Sequence, residues 1–302
     1  MTNPRMHYPA VALCALLAGC SSGGGSGAPV IATAPAPAPA VTPPAAGSGG
    51  PINLQGANTT VSYQAAALYG DVFPSSEKAT VTLTTDANGN LKVVSFNLPG
   101  FGLKDPGTSV SPASSNTVAI GNVAIILRET IGSVGTMGYT LSQVAGSQTL
   151  TYSAFGLWGV GDQAGGGVGG FAFGNLTPAT SIPATGTASF NGTVTGTGLA
   201  NGNTIYALQG DAQLNANFSN QSVTTKLTNL NTLNISTSAT GSLPDLTGNS
   251  AISGNAYSGA IAGGGLRGTL TGNFYGPAAQ ETAGVWQASG GGAFWGGSYG
   301  AK

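Results

Sequence analysis

The feature that most constrains this chain is an alternation of small apolar and polar residues that recurs from Thr187 to its last residues. Ala212-Gln213-Leu214-Asn215-Ala216-Asn217-Phe218 shows it best, with Ala212, Leu214, Ala216 and Phe218 on one face and amides on the other. A period of two belongs to a β-strand with one buried side. Eight runs read this way: 187–196, 204–218, 223–228, 231–237, 251–257, 266–274, 284–289 and 293–299. Eight antiparallel strands in so short a span can close into a barrel whose interior is filled by side chains, leaving no free edge. No run after residue 50 supports a helix longer than two turns.

Composition fits a small barrel and excludes several functions. Glycine occupies 51 of 302 positions and 6% of residues are charged, against about a quarter in an ordinary domain. With 8 basic and 9 acidic residues the formal net charge is −1. No basic face exists to neutralise nucleic-acid phosphates or an anionic membrane surface. The 41% of hydrophobic residues still suffices for a sizeable core.

Residues 1–20 carry one cation, Arg5, then an apolar run over 10–18, then small residues. That is a secretory signal. Nine apolar residues make about 14 Å of helix, half the ~30 Å of a bilayer core. Leu17-Ala18-Gly19-Cys20 resembles the bacterial lipobox, which implies removal of 1–19 and acylation of Cys20. His7 and Cys14 would leave with the leader, so the mature chain would hold no histidine and no free thiol. Zinc sites of His and Cys, Ser-His-Asp and Cys-His arrangements, His-ligated haem and disulfides are thereby excluded.

Residues 20–50 are a Gly/Ser/Pro-rich tether, in which Ala34-Pro35-Ala36-Pro37-Ala38-Pro39-Ala40-Val41-Thr42-Pro43-Pro44 favours polyproline II. Residues 51–183 read as a β-rich domain. Thr80 to Thr84 and Leu91 to Leu98 flank the turn-forming Asp86-Ala87-Asn88-Gly89-Asn90, as in a hairpin. Further strands are expected over 118–127, 138–141 and 149–152, followed by Phe155-Gly156-Leu157-Trp158, a Gly-rich loop over 159–170, and Phe171-Ala172-Phe173. Pro178 and Pro183 mark the boundary to 184–302. Phe155, Trp158, Phe171 and Phe173 border that loop and are candidate ligand anchors, with core packing as the alternative role. Trp286 and Trp295 sit in expected strands and read as packing residues.

Gly268-Thr269-Leu270-Thr271-Gly272-Asn273-Phe274-Tyr275-Gly276-Pro277-Ala278-Ala279-Gln280-Glu281-Thr282-Ala283-Gly284-Val285-Trp286 resembles the hallmark segment of the barrel in transferrin-binding protein B and related surface lipoproteins. There a strand ends in Phe-Tyr-Gly-Pro, a short Ala-x-Glu helical turn follows, and a Gly opens the next strand. Gly186 to Gly192, Gly210 to Phe218, Ile252 to Asn255 and the upstream Tyr152 to Trp158 fall in the same order. The resemblance implies an all-β chain: an N-terminal handle domain over 51–183, then a C-terminal eight-stranded antiparallel β-barrel over 184–302, in one lobe where transferrin-capturing members have two. Glu281 can satisfy nearby backbone donors in such a turn, and Pro277 ends ladder pairing.

Three further motifs reduce to local structure. Ser75-Ser76-Glu77-Lys78 matches Ser-x-x-Lys without the partner motifs of penicillin-recognising enzymes. Gly165 to Gly170 fits Gly-x-Gly-x-x-Gly with no helix behind it. Asp86 to Asn90 lacks the distal Glu of a calcium loop. The expected protein is a non-enzymatic, lipid-anchored outer-membrane module, exposed at the cell surface, for nutrient or iron acquisition. Its partner is a host or environmental carrier protein or haem, with an outer-membrane transporter beside it. No cofactor or metal is expected, and haem would lack a His ligand. A membrane-embedded small barrel, a structural or adhesive envelope protein, and a carboxylate-dependent hydrolase are the alternatives.

Overall fold

A computed structural model describes residues 60–68, 76–85, 91–98, 103–104, 108–109, 118–120, 123–128, 136–142, 144–162, 165–200 and 204–302. Side chains are described at 142, 145–157, 169–200 and 204–302. The signal segment, Cys20, the tether, the turn 86–90 and Ser75, and the side chains of Met137 and Trp158, lie outside the described residues.

The N-terminal part is one sheet. Its strands are β1 (Thr60–Leu68), β2 (Ser76–Thr85), β3 (Leu91–Leu98), β4 (Leu103–Lys104), β5 (Thr108–Ser109), β6 (Val118–Ile120), β7 (Val123–Arg128), β8 (Thr136–Ser142), β11 (Ser153–Asp162) and β12 (Gly165–Gly174). The order is β4-β3-β2-β1-β12-β11-β8-β7-β6, with β5 also on β3. A two-residue pair, β9 (Val144–Ala145) and β10 (Gln148–Thr149), stands apart. The β2–β3 hairpin forms as expected, with Val81 opposite Phe96.

Three expectations here are corrected. Residues 118–127 form two paired strands rather than one, because Gly121-Asn122 between them is a sequence that favours a two-residue turn. Residues 159–162 and 165–170 are no loop: they belong to β11 and β12, paired from Ser153↔Gly174 to Asp162↔Gly165. Residues 150–152 leave the strand expected at 149–152, because the Thr151 and Tyr152 amides are taken by a side chain described below.

The C-terminal part is a closed meander. Its strands are β13 (Thr187–Ala200), β14 (Thr204–Asn217), β15 (Ser222–Asn234), β16 (Thr240–Ser242), β17 (Leu246–Ser253), β18 (Ala256–Gly263), β19 (Leu266–Tyr275), β20 (Glu281–Gly290) and β21 (Ala293–Ala301). Each long strand pairs antiparallel with the next, and β21 returns to β13 with Val194 opposite Tyr299. Leaving aside the short β16 on β15, eight strands enclose the core. The runs expected at 223–228 and 231–237 are one strand, β15. A bulge keeps it continuous: Asn229 takes φ 52 and its side-chain amide donates to Asp211 at 2.6 Å. The run expected at 251–257 is divided between β17 and β18 by a turn at Gly254, φ 60.

Alternation decides what the barrel holds. Leu208, Ala212, Leu214 and Ala216 of β14 are buried while Gln209, Asp211, Gln213 and Asn215 are exposed. The interior is packed with Phe190, Phe218, Tyr257, Leu270, Phe274, Trp286 and Tyr299, with Phe274 touching the rings of Phe190, Phe218 and Tyr257. Space for these rings comes from glycine: a Cβ on Gly284 or Gly272 would collide with the Tyr299 hydroxyl. Outward positions carry Thr224, Lys226, Thr247, Asn249, Ser258, Arg267 and Thr269. Apolar residues inside and polar residues outside is the reverse of a lipid-facing barrel.

Candidate functional site

The two β parts meet along β20 and β21, whose outward side chains lie against the sheet instead of water. Ala283 packs with Ala145, Leu150, Phe155, Ala172 and Tyr275. The Ser298 hydroxyl donates to the Gly156 carbonyl at 2.7 Å. Glycines bring the backbones together: a Cβ on Gly170 would fall on the Gly297 backbone, and one on Gly300 would strike the Phe155 ring. This contact explains why β11 and β12 are glycine-rich and yet strands.

At one end of this seam stands Glu281, fully buried at 0% exposure. Its Oε1 accepts from the Thr151 amide at 2.6 Å, and its Oε2 from the Tyr152 amide at 2.9 Å and the Ser153 amide at 3.0 Å. The Ser153 hydroxyl adds a fourth donor at 2.9 Å, and the Lys302 ammonium lies 3.5 Å from Oε1. A buried carboxylate is tolerated when donors fill its lone pairs. Both oxygens are occupied, so this group is a fastener between sheet and barrel rather than an acid or base. The turn that delivers it has Gly276 at φ 85 and Ala279 at φ 55 and is not helical. Sequence reading placed Glu281 near backbone donors; the donors prove to lie about 130 positions upstream in the chain.

The barrel end beside Glu281 is closed by the connecting segment. Thr177 bonds the Phe274 carbonyl through its amide (2.9 Å) and the Gly276 carbonyl through its hydroxyl (2.7 Å), Asn255 donates to the Thr177 carbonyl (2.7 Å), and Ile182 packs on the core. At the opposite end an open cleft of about 300 Å³ is lined by Tyr206, Leu243, Pro244, Leu266 and Trp295. The Tyr206 and Trp295 rings are 5.7 Å apart and tilted by 43°. This cleft was not singled out from sequence, since its walls come from strands and turns far apart in the chain.

Phe155, Phe171 and Phe173 are 0%, 2% and 0% exposed, with the last two rings stacked at 6.1 Å. Offered as ligand anchors, all three are buried: Phe155 packs at the seam with Leu150, Ala172 and Tyr275, and Phe171 and Phe173 lie on the other face of β12. Trp286 is likewise inside, its indole N–H donating to the Thr195 carbonyl at 3.3 Å. Tyr257 and Tyr299 share a hydrogen bond of 2.7 Å, and Tyr257 also meets Thr282 at 2.5 Å. Burial pushes the Tyr257, Tyr275 and Tyr299 phenols well above their ordinary value. These three are therefore held neutral and unavailable as phenolate ligands to iron. Among the described residues no cluster of His, Cys, Asp or Glu could hold a metal ion. The carboxylates whose side chains are described are Asp211, Asp245 and Glu281, of which the first two are exposed.

Residues 182–302 match the family of the C-lobe and N-lobe β-barrels of transferrin-binding protein B. Among solved structures, isotype 1 transferrin-binding protein B from serogroup B Neisseria meningitidis is 20% identical with a TM-score of 0.51, covering 79% of this chain and 43% of that one. A mutant of the Haemophilus parasuis Hp5 protein is 16% identical with a TM-score of 0.48, covering 79% and 44%. The N-lobe domain of lactoferrin-binding protein B from Moraxella bovis is 15% identical with a TM-score of 0.34, covering 54% and 79%. The chain thus spans less than half the length of the Neisseria meningitidis and Haemophilus parasuis proteins just described. No curated protein matches it.

Proposed function

We propose, from the match of residues 182–302 to the β-barrels of transferrin-binding protein B, that the chain is a non-enzymatic surface lipoprotein that captures an iron-carrier protein of the host. Cys20 holds it to the outer membrane through lipid, and the tether carries the folded body away from that surface. One observation carries the choice of a protein ligand: the barrel interior is solid, so recognition falls to the outer surface. The open cleft of about 300 Å³ is at the lower limit for small-molecule pockets, which bury most of their ligand. That disfavours haem as its occupant.

Catalysis by paired carboxylates is disfavoured by the two filled oxygens of Glu281. A membrane-embedded barrel is disfavoured by the polar outer face. Growth of the producing bacterium on a transferrin or lactoferrin as sole iron source tests the proposal. Deletion of the gene should abolish growth on at least one carrier while leaving growth on free ferric iron unchanged. Equal growth of the deletion strain on every carrier would overturn it.

A further inference from the structure

The cleft at the open end is lined by Trp295, Tyr206, Leu243, Pro244 and Leu266 and bears no charged side chain. It is a largely apolar groove open to solvent, with two aromatic rings in its lining and Pro244 exposed. Such grooves accept proline-rich segments, whose fixed φ lowers the entropy lost on docking. The chain carries a segment of that chemistry: residues 33–44 hold Pro35, Pro37, Pro39, Pro43 and Pro44, and no charged residue occurs between Cys20 and Thr60.

We propose that residues 33–44 of the tether dock in this groove, against Trp295, Tyr206 and Pro244. Length permits it. Ala65 pairs with Phe173, so β1 begins toward the closed end of the barrel. The 14 residues of β13 set the barrel height, about 48 Å at ~3.4 Å per residue. The sixteen residues from Pro44 to Thr60 reach about 55 Å when extended. A short covalent link also gives an effective concentration on the order of millimolar, so a contact about tenfold tighter than millimolar keeps the groove mostly filled. Docking leaves twelve residues between Cys20 and Thr33, about 45 Å of chain. It therefore brings the open end toward the lipid. The inference does not depend on which carrier is captured.

A photo-crosslinking amino acid at Ala36 in the full chain, carried in a Cys20→Ser background, tests this. Mapped crosslinks should join residue 36 to peptides containing Tyr206, Leu243 or Trp295, with a yield independent of protein concentration. Tyr206→Ala and, separately, Pro35→Ser/Pro37→Ser/Pro39→Ser should each lower the yield at least tenfold. The second variant alters only the tether, so it keeps the test valid even if Tyr206→Ala disturbs folding. Crosslinks scattered over the surface, or a yield unchanged by the proline substitutions, would overturn the proposal. Crosslinks that vanish on dilution would overturn it too, by assigning the groove to a second copy of the chain.

Discussion

Glu281 and Ser153 are 128 positions apart, yet one carboxylate oxygen of the first accepts both the amide and the hydroxyl of the second, at 3.0 and 2.9 Å. The same oxygen takes the Tyr152 amide and its twin the Thr151 amide. A run of three backbone N–H groups that would otherwise be buried without partners is thus satisfied from the barrel, and the start of β11 is fixed to the start of β20.

Glu281→Ala should be among the most damaging single changes in the chain. Each buried donor left unpaired costs about 1–3 kcal/mol, so a loss on the order of 3 kcal/mol or more is expected in denaturant unfolding. Glu281→Gln keeps the shape but turns an –NH2 toward the same donors, and should cost about 2 kcal/mol. Lys302→Ala should cost under about 1 kcal/mol, because the ammonium is 36% exposed. An equal effect of the lysine and glutamate changes would show that the ion pair, not the backbone capture, matters.

Gly170→Val places side-chain atoms where the Gly297 backbone already lies. Separating β12 from β21 should destabilise the protein by about 2–3 kcal/mol, measurable as a lower midpoint in urea. Gly186→Ala is the control: its Cβ meets nothing within 4 Å, leaving only the strain of φ 90. Its cost should stay near 1 kcal/mol.

These glycines show where sequence reading reaches and where it stops. Ala212, Leu214, Ala216 and Phe218 were assigned to one buried face by alternation alone, and they are buried. Trp286 and the Tyr275-Gly276-Pro277 turn could be placed because strand and turn preferences are local. Residues 159–170 read as a loop because glycine has low intrinsic strand preference; 159–162 and 165–170 are strands paired with each other, and at Gly170 the Gly297 backbone lies where a side chain would be, a contact no local window contains. Phe155, Phe171 and Phe173 were offered as ligand anchors for the same reason. The partners of Glu281 and the walls of the open cleft depend on pairing across more than a hundred residues, and spacing in the chain carries no trace of them.

High pH should unfold the barrel through its tyrosines. Tyr257, Tyr275 and Tyr299 are held neutral by burial, above the ordinary value of 10.0. Below about pH 10 both folded and unfolded chains keep these protons, and stability from this source is flat. Above it the unfolded chain releases protons that the folded chain retains, so stability falls as pH rises, by up to about 1.4 kcal/mol per pH unit for each phenol. Unfolding midpoints measured from pH 8 to 11.5 should show this decline, and Tyr299→Phe should make it shallower. A midpoint that does not change up to pH 11.5 would contradict the burial of these hydroxyls.

Cys20→Ala should abolish incorporation of a fatty-acid label and release the protein from the membrane fraction, without altering the unfolding midpoint of the folded body. Retention of label in this variant would refute the anchor.

Capture of a carrier protein by a solid barrel is the central claim, and equilibrium binding by the purified lipidated protein in detergent measures it most directly. Iron-loaded transferrin, iron-loaded lactoferrin and free haem are each titrated onto the immobilised protein. Saturable binding of at least one carrier, with no saturable haem binding, is the predicted result. Saturable binding of haem alone, or of none of the three, would contradict it.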